Sequence, residues 1–283
     1  YAYSRQDDAT TLADNESGDY VISDAPSGLY SVVMEKRGVL ATRTRGRDLL
    51  PLNAANAIPL SFDISGDGAS VVFVSRQIDL VPNDTNQQPD VFLWNRLDGT
   101  ITRVSVSNEG RQSNGASYSA VISRDGRKIA YTSDATNLVA SDQNGKRDLF
   151  VYDRDNRTTR IVSLSATGVQ ADSDIFDDIR IDSTGARVAF ATSSSNLVSA
   201  DNNGVADVFV KSLADGYVER IDQIKPAFYS AGLDGLQTIN ASFNEDFSKV
   251  AFTDIDDSLD HEDTNEQPDV YLLDRSSGSL NLV

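Results

Sequence analysis

Four stretches of the chain place oxygen-bearing side chains at the same spacing. Asp84, Asn86 and Asp90 stand at positions 1, 3 and 7 of the first, and Asp142, Asn144 and Asp148 of the second. Asp201, Asn203 and Asp207 form the third, and Asp263, Asn265 and Asp269 the fourth. Carboxylates and amide carbonyls are hard ligands that suit Ca2+, which takes roughly six to eight oxygens. A tight loop turns positions 1 and 3 toward one centre, and a main-chain carbonyl near position 5 can join them. The Asp at position 7 then closes the site from the head of the following strand. The pattern is like the front half of an EF-hand loop without its terminal Glu. It predicts structural Ca2+, up to four ions, held with affinity on the order of 0.1–1 mM, in the extracellular range. The same residues also allow a metal-free loop, in which Asp and Asn form Asx-turns and position 7 bonds backbone N–H groups. An earlier loop, Asp14 to Asp19, is one residue shorter and is expected to bind poorly or not at all.

Little else in the chain points to chemistry. There is no Cys and a single His, His261, which excludes disulfides, thiol catalysis and His-rich zinc sites. His261 reads as a surface loop residue. No nucleophile-elbow or phosphate-binding glycine motif is present. A paired-carboxylate glycosidase stays open, because 43 acidic residues leave many pairs. The most distinctive acids recur in every repeat, however, and a residue repeated in every unit usually serves the unit. No catalytic residue is assigned.

The elements that would carry these loops form a repeat. The loops run into Asp90-Val-Phe-Leu-Trp-Asn95, Asp148-Leu-Phe-Val-Tyr-Asp153, Asp207-Val-Phe-Val-Lys-Ser212 and Asp269-Val-Tyr-Leu-Leu-Asp274, with a weaker first copy at Asp19 to Asp24. Upstream of each stands a turn between two apolar runs, as in Ser123-Arg-Asp-Gly126 followed by Ile129-Ala-Tyr-Thr132. Asp-Gly between such runs is a hairpin signal. A polar turn and a fourth run follow, as in Arg160-Ile-Val-Ser-Leu164. Short β-branched and aromatic runs are strands, and four of them per unit of about 60 residues make one propeller blade. The chain is therefore expected to be an all-β propeller of four-stranded antiparallel blades with five repeats visible. We read one domain, 1–283, with repeats near 1–38, 39–110 (including an inserted loop near 42–58), 111–168, 169–224 and 225–283. A β-sandwich does not need the same four-strand sequence five times.

The Ser123 to Ser133 segment resembles the hairpin of the TolB-type, WD-repeat-like propeller family of bacterial exported proteins, and that resemblance extends over nearly the whole chain. The Asp/Gly pair is incomplete at Asp182-Ser-Thr-Gly185 and at Glu245-Asp-Phe247, and these repeats are longer than the family's usual one. The resemblance implies a binding scaffold with no particular chemistry, in an extracellular, cell-surface or periplasmic setting.

The pattern breaks at its edges. The first unit begins at Tyr1 in what reads as a second strand, without its hairpin, so we expect a piece of a larger ring or longer polypeptide. The insertion holding Arg43, Arg45 and Arg47 is either an anion or partner contact or a long loop whose arginines pair with neighbouring acids. Lys225 to Ser230, with its aromatics, is either a contact surface or core.

Composition narrows the partners. With 25 basic and 43 acidic residues the net charge is −18, which repels nucleic acid and anionic lipid. No stretch is apolar enough to span a bilayer. Two functions are expected from these features. The first is a non-enzymatic, calcium-stabilised propeller scaffold of an exported or cell-surface protein that contacts a protein or glycan on a loop face. The second is a propeller-type polysaccharide lyase or hydrolase with carboxylates at the central channel.

Overall fold

The computed structural model describes residues 59–199, 201, 206–221, 241–254 and 269–283, together with four short strands before residue 33. The chain divides into two compact units, Tyr1–Pro59 and Leu60–Val283. In the first unit β1 (Ala2–Tyr3) pairs with β4 (Ser31–Val32), and β2 (Leu12–Asp14) pairs with β3 (Tyr20–Ile22). Asp14 lies opposite Tyr20, and residues 15–19 of the short loop lie outside the described residues. The Arg43, Arg45 and Arg47 insertion lies outside the described residues, as do Lys225–Ser230 and His261.

The second unit holds four consecutive four-stranded antiparallel sheets, each in chain order. Blade one is β5 (Ser61–Ile64), β6 (Ser70–Ser75), β7 (Asp90–Asn95) and β8 (Ile101–Arg103). Blade two is β9 (Ser117–Ile122), β10 (Lys128–Ser133), β11 (Asp148–Asp153) and β12 (Thr158–Ile161). Blade three is β13 (Arg180–Ile181), β14 (Arg187–Thr192), β15 (Asp207–Ser212) and β16 (Val218–Arg220). Blade four is β17 (Ala241–Phe243), β18 (Lys249–Asp254), β19 (Asp269–Asp274) and β20 (Ser279–Leu282). These are the blades of a β-propeller, as the repeat predicted.

The hairpin between the first two strands is built alike in every blade. In blade two Ser123 Oγ donates to Asp125 Oδ1 at 2.6 Å, and the Arg127 N–H donates to the same oxygen. Gly126 takes φ of 73°, which costs a residue without Cβ little. Blade four, whose Asp/Gly pair is incomplete, makes the same turn with Phe247 at φ 57°. There the Ser248 N–H donates to Asp246 and the Lys249 N–H to Asn244. Phe247 is buried against Phe243, with ring centroids 4.7 Å apart, and this packing offsets the backbone strain.

One aromatic pair marks the middle of each blade. Phe73–Phe92, Tyr131–Phe150, Phe190–Phe209 and Phe252–Tyr271 are cross-strand neighbours with centroids 5.6–5.9 Å apart. Alternate faces of the middle strands then meet the next blade. Val72, Val91 and Leu93 pack with Ile129, Tyr131 and Phe150. Ala130, Leu149 and Val151 pack with Val188, Phe190 and Phe209, and Ala189, Val208 and Val210 with Val250, Phe252 and Tyr271. Strands buried on both faces read as continuous apolar runs, which is why β6 and β14 lack alternation.

The hairpins converge at one end. The Gly66 N–H donates to the Arg124 carbonyl, and the Ser183 N–H to that of Glu245. Arg124 of blade two reaches Glu245 of blade four as an ion pair. A cleft of about 220 Å3 lies among Ile64, Ile122, Ile181 and these residues.

Buried Lys211 makes its hydrogen bonds to main-chain carbonyls. Lys211 is 5% exposed and donates to the carbonyls of Leu164 (2.6 Å) and Ser165 (3.2 Å). Burial, aided by Arg160 and opposed by Asp215, lowers its pKa from 10.5 to about 8. Below pH 8 the lysine is charged in both states, and the folded protein carries the whole penalty. Between pH 8 and 10.5 only the unfolded state holds the proton, so stability rises with pH. Lys211→Met is expected to be more stable than the parent at pH 7 by up to about 3 kcal/mol. The gap should close above pH 10.5 in denaturant titrations at several pH values.

Candidate metal centre

Each Asp-x-Asn loop enters the third strand of its blade, so the position-7 aspartate sits at a strand head beneath the apolar layer. Asp90 and Asp148 have no exposure, and Asp142 is 8% exposed. The loop is pinned below by Leu138 and Leu197, both buried as the sequence suggested. Their polar neighbours do more than cap a turn. Asn137 Nδ2 donates to the Gln112 carbonyl, and Asn196 Nδ2 to the Gln170 carbonyl. These bonds clamp the segment that links one blade to the next.

In blade one both aspartates of the loop accept hydrogen bonds. Asp90 Oδ1 accepts from Ser105 Oγ and Ser113 Oγ, both at 2.6 Å, while Oδ2 accepts from Gln112 Nε2 (2.9 Å) and Asn86 Nδ2 (3.2 Å). Gln112 Nε2 also donates to Asp84 Oδ1 at 2.8 Å. Between the two carboxylates lies the Arg103 guanidinium, with Nη2 3.3 Å from Asp84 Oδ2 and Nε 3.5 Å from Asp90 Oδ2. Burial raises the pKa of Asp84, and Gln112 and Arg103 oppose that rise. Asn86 Oδ1 accepts the Gln88 N–H at 2.9 Å, an Asx-turn of the kind the metal-free reading expected.

Blade two repeats the frame without the cation. Ser163 Oγ donates to Asp148 Oδ1 at 2.5 Å, Asn144 Nδ2 donates to the same oxygen at 3.2 Å, and Asn144 Oδ1 accepts the Lys146 N–H. Ile161 occupies the place of Arg103. Asp148 Oδ2 and both oxygens of Asp142 are buried and accept no hydrogen bond of normal geometry. The Gln170 amide lies alongside Asp142 and offsets part of its burial, yet its Nε2 is also without a well-formed bond. Burial raises Asp142, and burial plus the charge of Asp142 pushes Asp148 up to about 6. Buried carboxylate oxygens without donors are costly, and a divalent cation is one group that would satisfy all three.

Blade three again holds an arginine. Arg220 Nη1 lies 3.1 Å from Asp201 Oδ1 and 3.8 Å from Asp207 Oδ2. Burial and the charge of Asp207 raise Asp201, and Arg220 opposes them. Asn203 lies outside the described residues, as do Asp263 and Asn265 of blade four. Asp269 is described, and its Oδ2 is buried without a hydrogen bond. Among the described residues no three acidic or histidine side chains converge on one point, so an ion at blade two would take further oxygens from the main chain, the amides and water.

Arg103, Ser105, Gln112 and their counterparts escape a reading that stops at the loop. They stand on the fourth strand and the interblade link. Aligning Thr102-Arg-Val-Ser105 with Arg160-Ile-Val-Ser163 exposes the contrast.

A separate charged cluster joins blade two to the start of blade three. Arg147 lies 3.6 Å over the Tyr118 ring and 3.1 Å from both Asp134 and Asp177, and Tyr118 Oη donates to Asp134 at 2.5 Å. These residues are not repeated in the other blades.

No protein-family model matches the chain, and no match is found among curated proteins. Solved structures do resemble it. TolB from Acinetobacter baumannii is 17% identical with TM-score 0.43, over 78% of this chain and 42% of that one. A putative TolB from Agrobacterium tumefaciens is 14% identical with TM-score 0.46, over 96% and 79%. The β-propeller domain of the trilobed protease from Pyrococcus furiosus is 12% identical with TM-score 0.44, over 79% and 56%. The chain thus spans less than half the length of the first of these. None of these likenesses bears on function.

Proposed function

We propose that this chain is a non-enzymatic propeller scaffold of an exported or cell-surface protein, stabilised by calcium and used to contact a protein or glycan. One observation carries the calcium part: Asp142 and Asp148 bury three carboxylate oxygens that accept no hydrogen bond of normal geometry, with only the Gln170 amide alongside Asp142. A hard divalent cation meets that need, and the acidic net charge of −18 favours its approach. The scaffold part is supported by the recurrence of the acids as blade structure. No helix among the described residues is long and apolar enough to cross a membrane.

Thermal unfolding with calcium and with chelator tests the reading. At calcium one hundred times the dissociation constant, the gain is about 2.7 kcal/mol, an upward shift of about 5–10 °C for a domain of this size. Equal melting temperatures in both buffers would remove calcium from the account.

The polysaccharide-active alternative draws on the Tyr118, Asp134, Arg147 and Asp177 cluster, whose members are unique to one blade. Each of its charges is engaged within the cluster, which suits bracing better than proton transfer. Turnover of a glycan panel that is lost in Tyr118→Phe would reverse this choice.

A further inference from the structure

We infer that one position on the fourth strand decides which blades take an ion: arginine there is a built-in counter-cation, and an aliphatic residue leaves the loop to a metal. The inference rests on the calcium reading above and sharpens it, among the loops described, to that of blade two.

The residue thirteen positions after the strand-head aspartate is Arg103, Ile161, Arg220 and Leu282 in successive blades. What the alternation means follows from the loops seen in place. Arg103 and Arg220 each bridge the position-1 and position-7 carboxylates of their own loop. The Arg103 side chain is 9% exposed, so little solvent screens the pairing. A guanidinium in that place and a divalent cation exclude each other. They would lie within a few ångströms at like charge, and both need the same oxygens.

Blade two presents the complement. Ile161 is buried in the apolar layer with Val104 and Phe150 and brings no charge to Asp142 and Asp148. The orphaned oxygens are found there: both of Asp142 and Oδ2 of Asp148. In blade one, where the arginine is present, Asp84 and Asp90 have no such atom, and in blade three the buried Asp207 Oδ2 has the Arg220 guanidinium 3.8 Å away as its counter-charge. In blade four Leu282 holds the position, while Asp263 and Asn265 of its loop lie outside the described residues. The ligand assigned to blade two is therefore Ca2+ or a cation of like hardness, and blades one and three carry none.

Calcium stoichiometry by equilibrium dialysis on the whole chain tests this. Asp142→Asn is expected to remove one ion, and Asp84→Asn none. Ile161→Arg should also remove one ion while raising the melting temperature in chelator toward the calcium-loaded value. Arg103→Leu should add one. If Asp84→Asn removes an ion, or Asp142→Asn removes none from a protein that binds calcium, the inference is overturned and the calcium reading survives. A parent chain that binds no calcium overturns both. The two Asp→Asn changes keep side-chain shape, so the result does not depend on whether Ile161→Arg folds.

Discussion

Asp148→Asn is expected to make the calcium-free protein more stable than the parent, by about 2–3 kcal/mol, and to cancel its response to calcium. A buried carboxylate without a counter-charge carries a desolvation cost of several kcal/mol, and burial together with Asp142 already holds Asp148 at about 6. The amide keeps the oxygen that accepts from Ser163 and Asn144. It replaces the unbonded Oδ2 with an amide group and removes one of two buried like charges. In calcium the order should reverse, because a ligand is lost. Urea unfolding in chelator and in calcium reads both signs. A variant less stable than the parent in chelator would show that the pocket tolerates its two charges without an ion. Asp90→Asn is the control of opposite sign: Asp90 faces Arg103 and four donors, so its charge is compensated.

The second large effect falls on Arg103. Arg103→Leu in calcium-free buffer should cost about 3–5 kcal/mol, the range for breaking a buried pair by removing one partner. The loss comes from Asp84 and Asp90, left as two buried like charges with only Gln112, Ser105, Ser113 and Asn86 around them. Arg127→Ala sets the scale. Its partner is Asp155, both side chains are more than half exposed, and a surface pair contributes about 0–1 kcal/mol. Equal costs for the two arginines in denaturant titration would mean that Arg103 is screened far more than its 9% exposure allows.

Much of the architecture was legible in the chain because a blade is local. Its four strands follow one another, its turns close within a few residues, and its aromatic pair forms between neighbouring strands. The departures were local too: Phe247 stands where other repeats have glycine, and the turn closes by burying its ring. The first repeat read less well. It lacks its opening hairpin, and the pairings β1 with β4 and β2 with β3 are not those of a blade.

By itself the sequence determined where strands, hairpins and oxygen-rich loops fall, since those follow from residue spacing and turn chemistry. Tertiary structure alone decided what each loop experiences. Asp142 and Asp84 hold the same place in the same Asp-x-Asn pattern, yet Arg103 reaches Asp84 while Ile161 stands at the matching register position of blade two. Charge compensation depends on what lies within a few ångströms in space, and the Coulomb and desolvation energies that separate the four loops arise only after the blades have packed.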